Sequence, residues 1–291
     1  MRRKAILIVA CVAIAAGTRA AGTCGAAELK AETAAAFGAY MKAREARMDA
    51  DLRTGRDFLW IEGLHGEKRT KIYEELRAGR AVIENPRGSE ASDGISVPGG
   101  LIHDGRGVVF VPGISLAETI ALLEDYNHDE KYYRPDVVRS KLLRREGEDF
   151  RVYLRLKSKY VVTTVFDTEY DIRYMTLDAR HAYSRSRSTR IEEVENAGQT
   201  DEYNDAPGND HGFLWRLNSY WRFEQTDGGV YIQCEAISLT RDVPEGLGWA
   251  VEPFLEKIPR ESLRFTLEAT QAALRRKYLM TAERKQSEPR Q

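Results

Sequence analysis

The sequence predicts an α+β protein in which one antiparallel sheet is bracketed by helices. Hydrophobic periodicity is close to two from Val137 to Thr240, is helical at both ends of the chain, and is interrupted between them by tight-turn residues. With 291 residues and 42% hydrophobic content, the chain can build one large core or two modest ones.

The first segment reads as a secretory signal. Arg2, Arg3 and Lys4 precede an apolar run from Ala5 to Ala16, followed by small residues and Ala-x-Ala-like sites near Ala20 and Ala26. The run falls well short of the ~20 residues of a membrane span. Residues 1–27 are therefore expected to be cleaved, giving an exported, periplasmic or secreted chain with no integral anchor. Removal takes four basic residues and no acids, leaving 40 basic against 45 acidic. That balance speaks against a nucleic-acid partner. Neither "IVAC" at Cys11 nor "AGTC" at Cys24 makes a good lipidation site. Cys234 is then the one secure mature cysteine, and an internal disulfide framework is not expected.

Residues 28–100 read as a helical N-terminal extension and linker. One amphipathic helix runs from Glu28 to about Asp51 and a shorter one from Gly66 to Ala78, with Gly79 as its stop. Between them "DFLWIEGL" (Asp57 to Leu64) is too apolar for water and should dock onto the main domain; an exposed stripe at Phe58 to Ile61 would instead suit a protein partner. The Gly-, Pro- and Ser-dense stretch Glu84 to Gly100 reads as a loop.

The main domain is expected over 101–280, with a polar tail at 281–291. Gly105 to Gly113 gives a strand, and Ser115 with Glu118 forms an S-x-x-E capping box opening a helix lined by Leu116, Ile120 and Leu123. Asn127 and Pro135 break that pattern, so a short helical turn follows. Six strands come next, near 137–145, 150–157, 160–174, 182–193, 213–225 and 230–240, with hairpin turns at "EGED" and "DGG". The closing helix is read from "IPRESL", with Pro259 in its first turn and Leu263, Leu267, Thr270, Leu274 and Tyr278 on one face.

Within "AYSRSRSTRIEEVE" (Ala182 to Glu195) alternation places Ser184, Ser186 and Ser188 on one face and Arg185, Arg187 and Thr189 on the other. The preceding strand sorts likewise: Phe166, Thr168, Tyr170 and Ile172 on one side, Asp167, Glu169 and Asp171 on the other. A disordered serine-arginine tail would not be sorted in this way. Acid and base rows are expected to meet as cross-strand partners on the convex face, each pair worth ~0.2–1 kcal/mol. The alternative turns Arg185 and Arg187 inward to grip an anion.

The serine row, together with small Cys234, Ala236 and Ser238, leaves space on the inner face. Trp215, Leu217, Ser219, Trp221 and Phe223 share one parity and could wall that space; ordinary core packing is the plainer alternative. The expected ligand contacts are Phe166, Tyr170, Trp215, Trp221 and Phe223, with Ser186, Ser219 and Ser238 orienting. Trp249, with Phe254, lies in a connection that would border the mouth as a lid or as a plug.

"VVFVPGISLAETIALLEDYNHDEKYY", "SYWRFEQTDGGVYIQCEAISL" and "IPRESLRFTLEATQAAL" together resemble the SRPBCC or START-like superfamily, closest to its polyketide-cyclase and coenzyme Q-binding branch, over about Leu101 to Tyr278. The resemblance implies a helix-grip fold, a curved sheet of about seven strands wrapped round the C-terminal helix. It also implies a cavity for a hydrophobic small molecule or lipid. It supplies no catalytic residue, because the superfamily shares no catalytic motif.

Signatures of nucleotide, α/β-hydrolase and zinc enzymes are missing from the sequence. The five histidines are scattered singly, so no metal site, catalytic residue or cofactor is assigned. The favoured reading is a carrier or sensor. The runner-up is a cyclase- or hydrolase-type enzyme using His211, or an inward Asp167, Glu169 or Asp171, as acid or base.

Overall fold

The structure is a computed structural model that describes residues 27–55, 57–84, 94–159, 163–206, 208–242 and 248–287, with side chains for all of these except 248–256 and 278–287. Residues 1–26 of the expected signal segment lie outside the described residues, and Ala27 opens the first strand. In chain order the elements are β1 (Ala27–Glu28), α1 (Ala31–Thr54), α2 (Gly66–Arg77), β2 (Val82–Ile83), β3 (Ile95–Val97), β4 (Gly100–Pro112) and α3 (Leu116–Leu123). There follow a 3-10 turn (Tyr126–His128), α4 (Asp129–Tyr132), β5 (Val137–Glu146), β6 (Asp149–Lys159), β7 (Thr163–Thr176) and β8 (His181–Glu195). The last are β9 (Tyr203–Asn204), β10 (Asn209–Asp210), β11 (Arg216–Thr226), β12 (Gly229–Arg241) and α5 (Gly248–Ser287).

Period-two alternation and tight turns build one ten-stranded antiparallel sheet in the order β2-β4-β12-β11-β8-β7-β6-β5, with β3 on β4 and β9 on β8. Three short strands account for the excess over the seven expected from sequence. This architecture fits the helix-grip α+β arrangement. At the "DGG" turn, Gly229 adopts φ +147°, and a Cβ there would stand 2.2 Å from the Val111 carbonyl oxygen. Only glycine fits that approach.

The capping box forms as the sequence predicts. The Glu118 N–H donates to Ser115 Oγ at 3.2 Å, and the Ser115 N–H donates to Glu118 Oε2 at 2.9 Å. Ser115→Ala should cost about 1 kcal/mol of unfolding free energy, read as a lower denaturant midpoint.

The closing helix begins earlier than expected. α5 is helical from Gly248, so Trp249 and Phe254 stand on its first turns rather than in a connecting loop, and Pro259 lies inside it. The Trp249 side chain lies outside the described residues. Buried Leu263, Leu267, Thr270, Ala273 and Leu274 seat α5 on the sheet, chiefly on β4, where small Gly105 and Gly107 let it approach.

The N-terminal helices cover the opposite face. Phe37, Met41 and Met48 of α1 pack with Ile102, Trp215, Tyr220, Ile237 and Leu239. Phe58, Leu59, Trp60 and Ile61 are buried with Leu76, Val108, Phe110 and Tyr231, which removes the exposed apolar stripe that a partner would need. The polar side of α1 supplies charge: Arg44 binds Glu235 and lies 2.9 Å from Asp104, and Tyr40 donates to Asp104 at 2.6 Å. The result is three layers, with α5 inside, the sheet in the middle, and α1 with α2 outside.

Candidate functional site

Register fixes what lies on the inner face. Ile172 pairs with Ser186, Ser186 with Ser219, Ser219 with Ala236, and Ala236 with Gly105, so a strip of small side chains crosses β8, β11, β12 and β4. The next rank is Tyr174, Ser184, Trp221, Cys234 and Gly107. Over Gly107 the strip is filled, since a Cβ there would meet Leu267 at 2.8 Å and Ile83 at 2.5 Å. Further along, Leu217, Ser219, Trp221, Ala236 and Ser238 remain partly exposed. The indole of Trp221 stacks on Phe223, centroids 6.2 Å apart and planes within 6°. The result is a low floor beside an aromatic wall in which Trp221 is partly exposed.

Polar groups on this side are nearly all neutral. Tyr126 and Tyr174 hydroxyls bond at 2.9 Å, and Tyr133 bonds Thr270 of α5 at 3.0 Å. Tyr170 is 5% exposed, and its hydroxyl makes no hydrogen bond of good geometry, with the Thr168 hydroxyl its one near polar neighbour. Thr168, two residues back on the same face, gives its own hydroxyl to the Leu154 carbonyl at 2.7 Å. Burial pushes the Tyr170 phenol up to about 12. His103 faces Ser238 and is held down at about 4 by burial, so it is neutral near pH 7. Cys234 is buried, and burial raises its thiol well above the ordinary range.

Of the residues selected from the sequence, Tyr170, Ser186, Ser219, Trp221, Phe223 and Ser238 share the inner face, and Phe166 lies on it at the far end of β7. Phe223 is fully buried and serves the core as well as the wall. Trp215 goes to the other side, into the cluster under α1, with its indole N–H on Asp210 at 3.1 Å. Alternation does not extend to it because β11 starts at Arg216.

The arginine and acid rows lie outside. Arg187 donates through Nε to Glu45 at 2.9 Å, and Arg185 binds Asp49, so α1 supplies the acids expected from β7. Asp171 is held by Arg151 at 2.8 and 2.9 Å, which keeps its carboxyl below the usual range. Burial tends to raise Asp167, but two Arg155 hydrogen bonds at 2.7 Å prevail and lower it. Glu169 sits 3.4 Å from Arg190. None of the three faces the inner side, which removes them as candidate acids or bases.

His211 does find carboxylates. Its Nδ1 lies 3.3 Å from Glu193 and 3.4 Å from Glu195, and its backbone N–H donates to Glu193 at 3.1 Å. Glu193, Asp205 and His211 bring ligand atoms within 4.8 Å of one another, a set that could hold a divalent cation or move a proton. Burial raises the Glu193 carboxyl. No sequence spacing announces this group; β9 and the β10 segment bring it together. Asp129, buried beside the interior tyrosines and raised to about 8 by burial, was equally silent in the sequence. Two solvent-open clefts, about 470 Å³ over outer β5 to β8 and about 630 Å³ between α2 and α5, mix charged with apolar side chains and include none of Ser186, Ser219, Ala236 and Trp221.

No protein-family model and no curated protein matches this chain. Among solved structures it is similar to START-type proteins. A STAR-related lipid transfer protein from Xanthomonas axonopodis shares 19% identity at TM-score 0.42, with 63% of this chain and 98% of that one covered. The Zhui aromatase/cyclase from Streptomyces sp. R1128 shares 14% at TM-score 0.39, covering 60% and 94%. A START superfamily protein from Mycobacterium smegmatis shares 11% at TM-score 0.39, covering 60% and 98%. Identities this low carry no residue roles across, and the functional reading rests on the chain's own side chains. No helix among the described residues is long and apolar enough to cross a membrane.

Proposed function

We propose that this chain is an exported binding protein that lodges a hydrophobic small molecule or lipid against the inner face of the sheet, beside α5. The observation that carries this reading is the strip Ser186, Ser219, Ala236, bordered by partly exposed Trp221 and Leu217. Apolar side chains left partly open beneath a helix gain by covering, at roughly 25 cal/mol per Å² buried. The signal-like N-terminus supports export. An acid-base enzyme remains the second reading, now resting on His211 with Glu193.

The test is native mass spectrometry of the mature protein after exposure to cell-envelope lipid extract. A retained ligand mass is expected, with its occupancy lowered by Trp221→Ala. An empty protein after that exposure would overturn the carrier reading.

A further inference from the structure

The inner face is sorted by charge as well as by size. On β6, β7, β8 and β11, Arg151, Arg155, Arg173, Arg185, Arg187 and Arg222 all take the outer parity. Most are engaged there: Arg151 by Asp171, Arg155 by Asp167, Arg185 by Asp49, Arg187 by Glu45, and Arg222 by the Phe58 carbonyl. Among the described strand residues Arg145 is the exception, at the β5 rim, and it is already bonded to Glu124 at 3.0 Å and laid over Phe150 at 4.6 Å. An anionic ligand would lose its hydration at the strip and find, among the described strand residues of that face, no unengaged cation in exchange. The titratable groups that face inward supply no cation either. Asp129 and Glu193 are carboxyls, and His103 is neutral.

Among the described strand residues, one fully buried inward phenol stands out. The Tyr170 hydroxyl is buried and makes no well-formed hydrogen bond, its neighbour Thr168 having given its own proton to the Leu154 carbonyl, while Ser188 gives its oxygen to the Leu217 N–H at 3.0 Å and the other interior phenols bond one another or Thr270. A buried donor left alone is costly, and an acceptor on a ligand removes that cost.

Resting on the binding reading above, we infer that the ligand is an uncharged hydrophobe bearing a hydrogen-bond acceptor such as an ester or ketone oxygen, with Tyr170 as the residue that selects for it. A free fatty acid or another anionic amphiphile is selected against by the same face.

Three fluorescent probes separate the possibilities: cis-parinaric acid, its methyl ester, and the hydrocarbon diphenylhexatriene, each titrated below its micelle-forming concentration at about pH 8, where a free carboxyl is ionised. The ester should bind at least about tenfold more tightly than the acid, a comparison that needs no variant. Tyr170→Phe keeps the ring and should weaken the ester about three- to tenfold while leaving diphenylhexatriene unchanged. Equal or tighter binding of the acid would overturn the charge selection. An ester affinity untouched by Tyr170→Phe, or an equal loss for the hydrocarbon, would overturn the role of Tyr170. Failure of all three probes to bind would instead remove the binding reading itself, and this inference with it.

Discussion

Phe223→Ala should lower the free energy of unfolding by about 4 kcal/mol, seen as a large drop in the urea midpoint with little change in slope. Phe223 is fully buried, pairs with Ala182 on one side and Ile232 on the other, and backs the Trp221 indole. The neighbouring Ala182 is too small to refill the volume, so the cavity term adds to the lost transfer energy. Phe223→Leu retains most of that volume and should cost under about 1.5 kcal/mol. A loss below about 1 kcal/mol for the alanine variant would mean that the inner face is far looser than this packing.

Arg44→Met should cost about 3 kcal/mol near neutral pH, because it strands carboxylates rather than simply removing a contact. The Arg44 guanidinium holds Glu235 and Asp104, and the Glu235 side chain is only 6% exposed. Burial already raises the Glu235 carboxyl, Asp104 adds to that, and Arg44 opposes it. Without Arg44 the folded-state pKa rises further above the unfolded value of about 4.3. The folded protein then keeps a proton that the unfolded chain releases, so stability is retained below the unfolded pKa and lost as pH rises through the folded one. The deficit should therefore be larger at about pH 8 than at about pH 5. Adding Glu235→Gln should recover much of it, and a deficit independent of pH would point to lost packing of the arginine stem instead.

The strands were legible because alternation and turn chemistry act locally: "EGED", "DGG" and the Ser115 capping box each dictate a backbone from a few neighbouring residues. Parity also put Arg185 and Arg187 on the outer face. What parity could not decide was their partner. Asp171 stands opposite Arg187 in the register, but Arg151 on the other flanking strand takes it, and α1 brings Glu45 to Arg187 from 142 residues away. Trp215 escapes the parity of β11 because the strand begins one residue later, at Arg216, and nothing in the local sequence marks that boundary. The early start of α5 was hidden by Gly and Pro residues that read locally as a loop, and the group around His211 exists only through tertiary placement.

The back-side clamp by α1 has a consequence for assembly. Ribosomes work at about 5–20 residues per second, so α1 waits on the order of ten seconds before the β8 arginines are made. Any vectorial threading across a membrane, N-terminus first, would impose the same order. The helix is alanine-rich and charged, with only Thr33, Phe37, Met41 and Met48 buried in the finished fold, a composition suited to staying dissolved during the delay. Its ion pairs to β8 can therefore form only once more than a hundred further residues have been made.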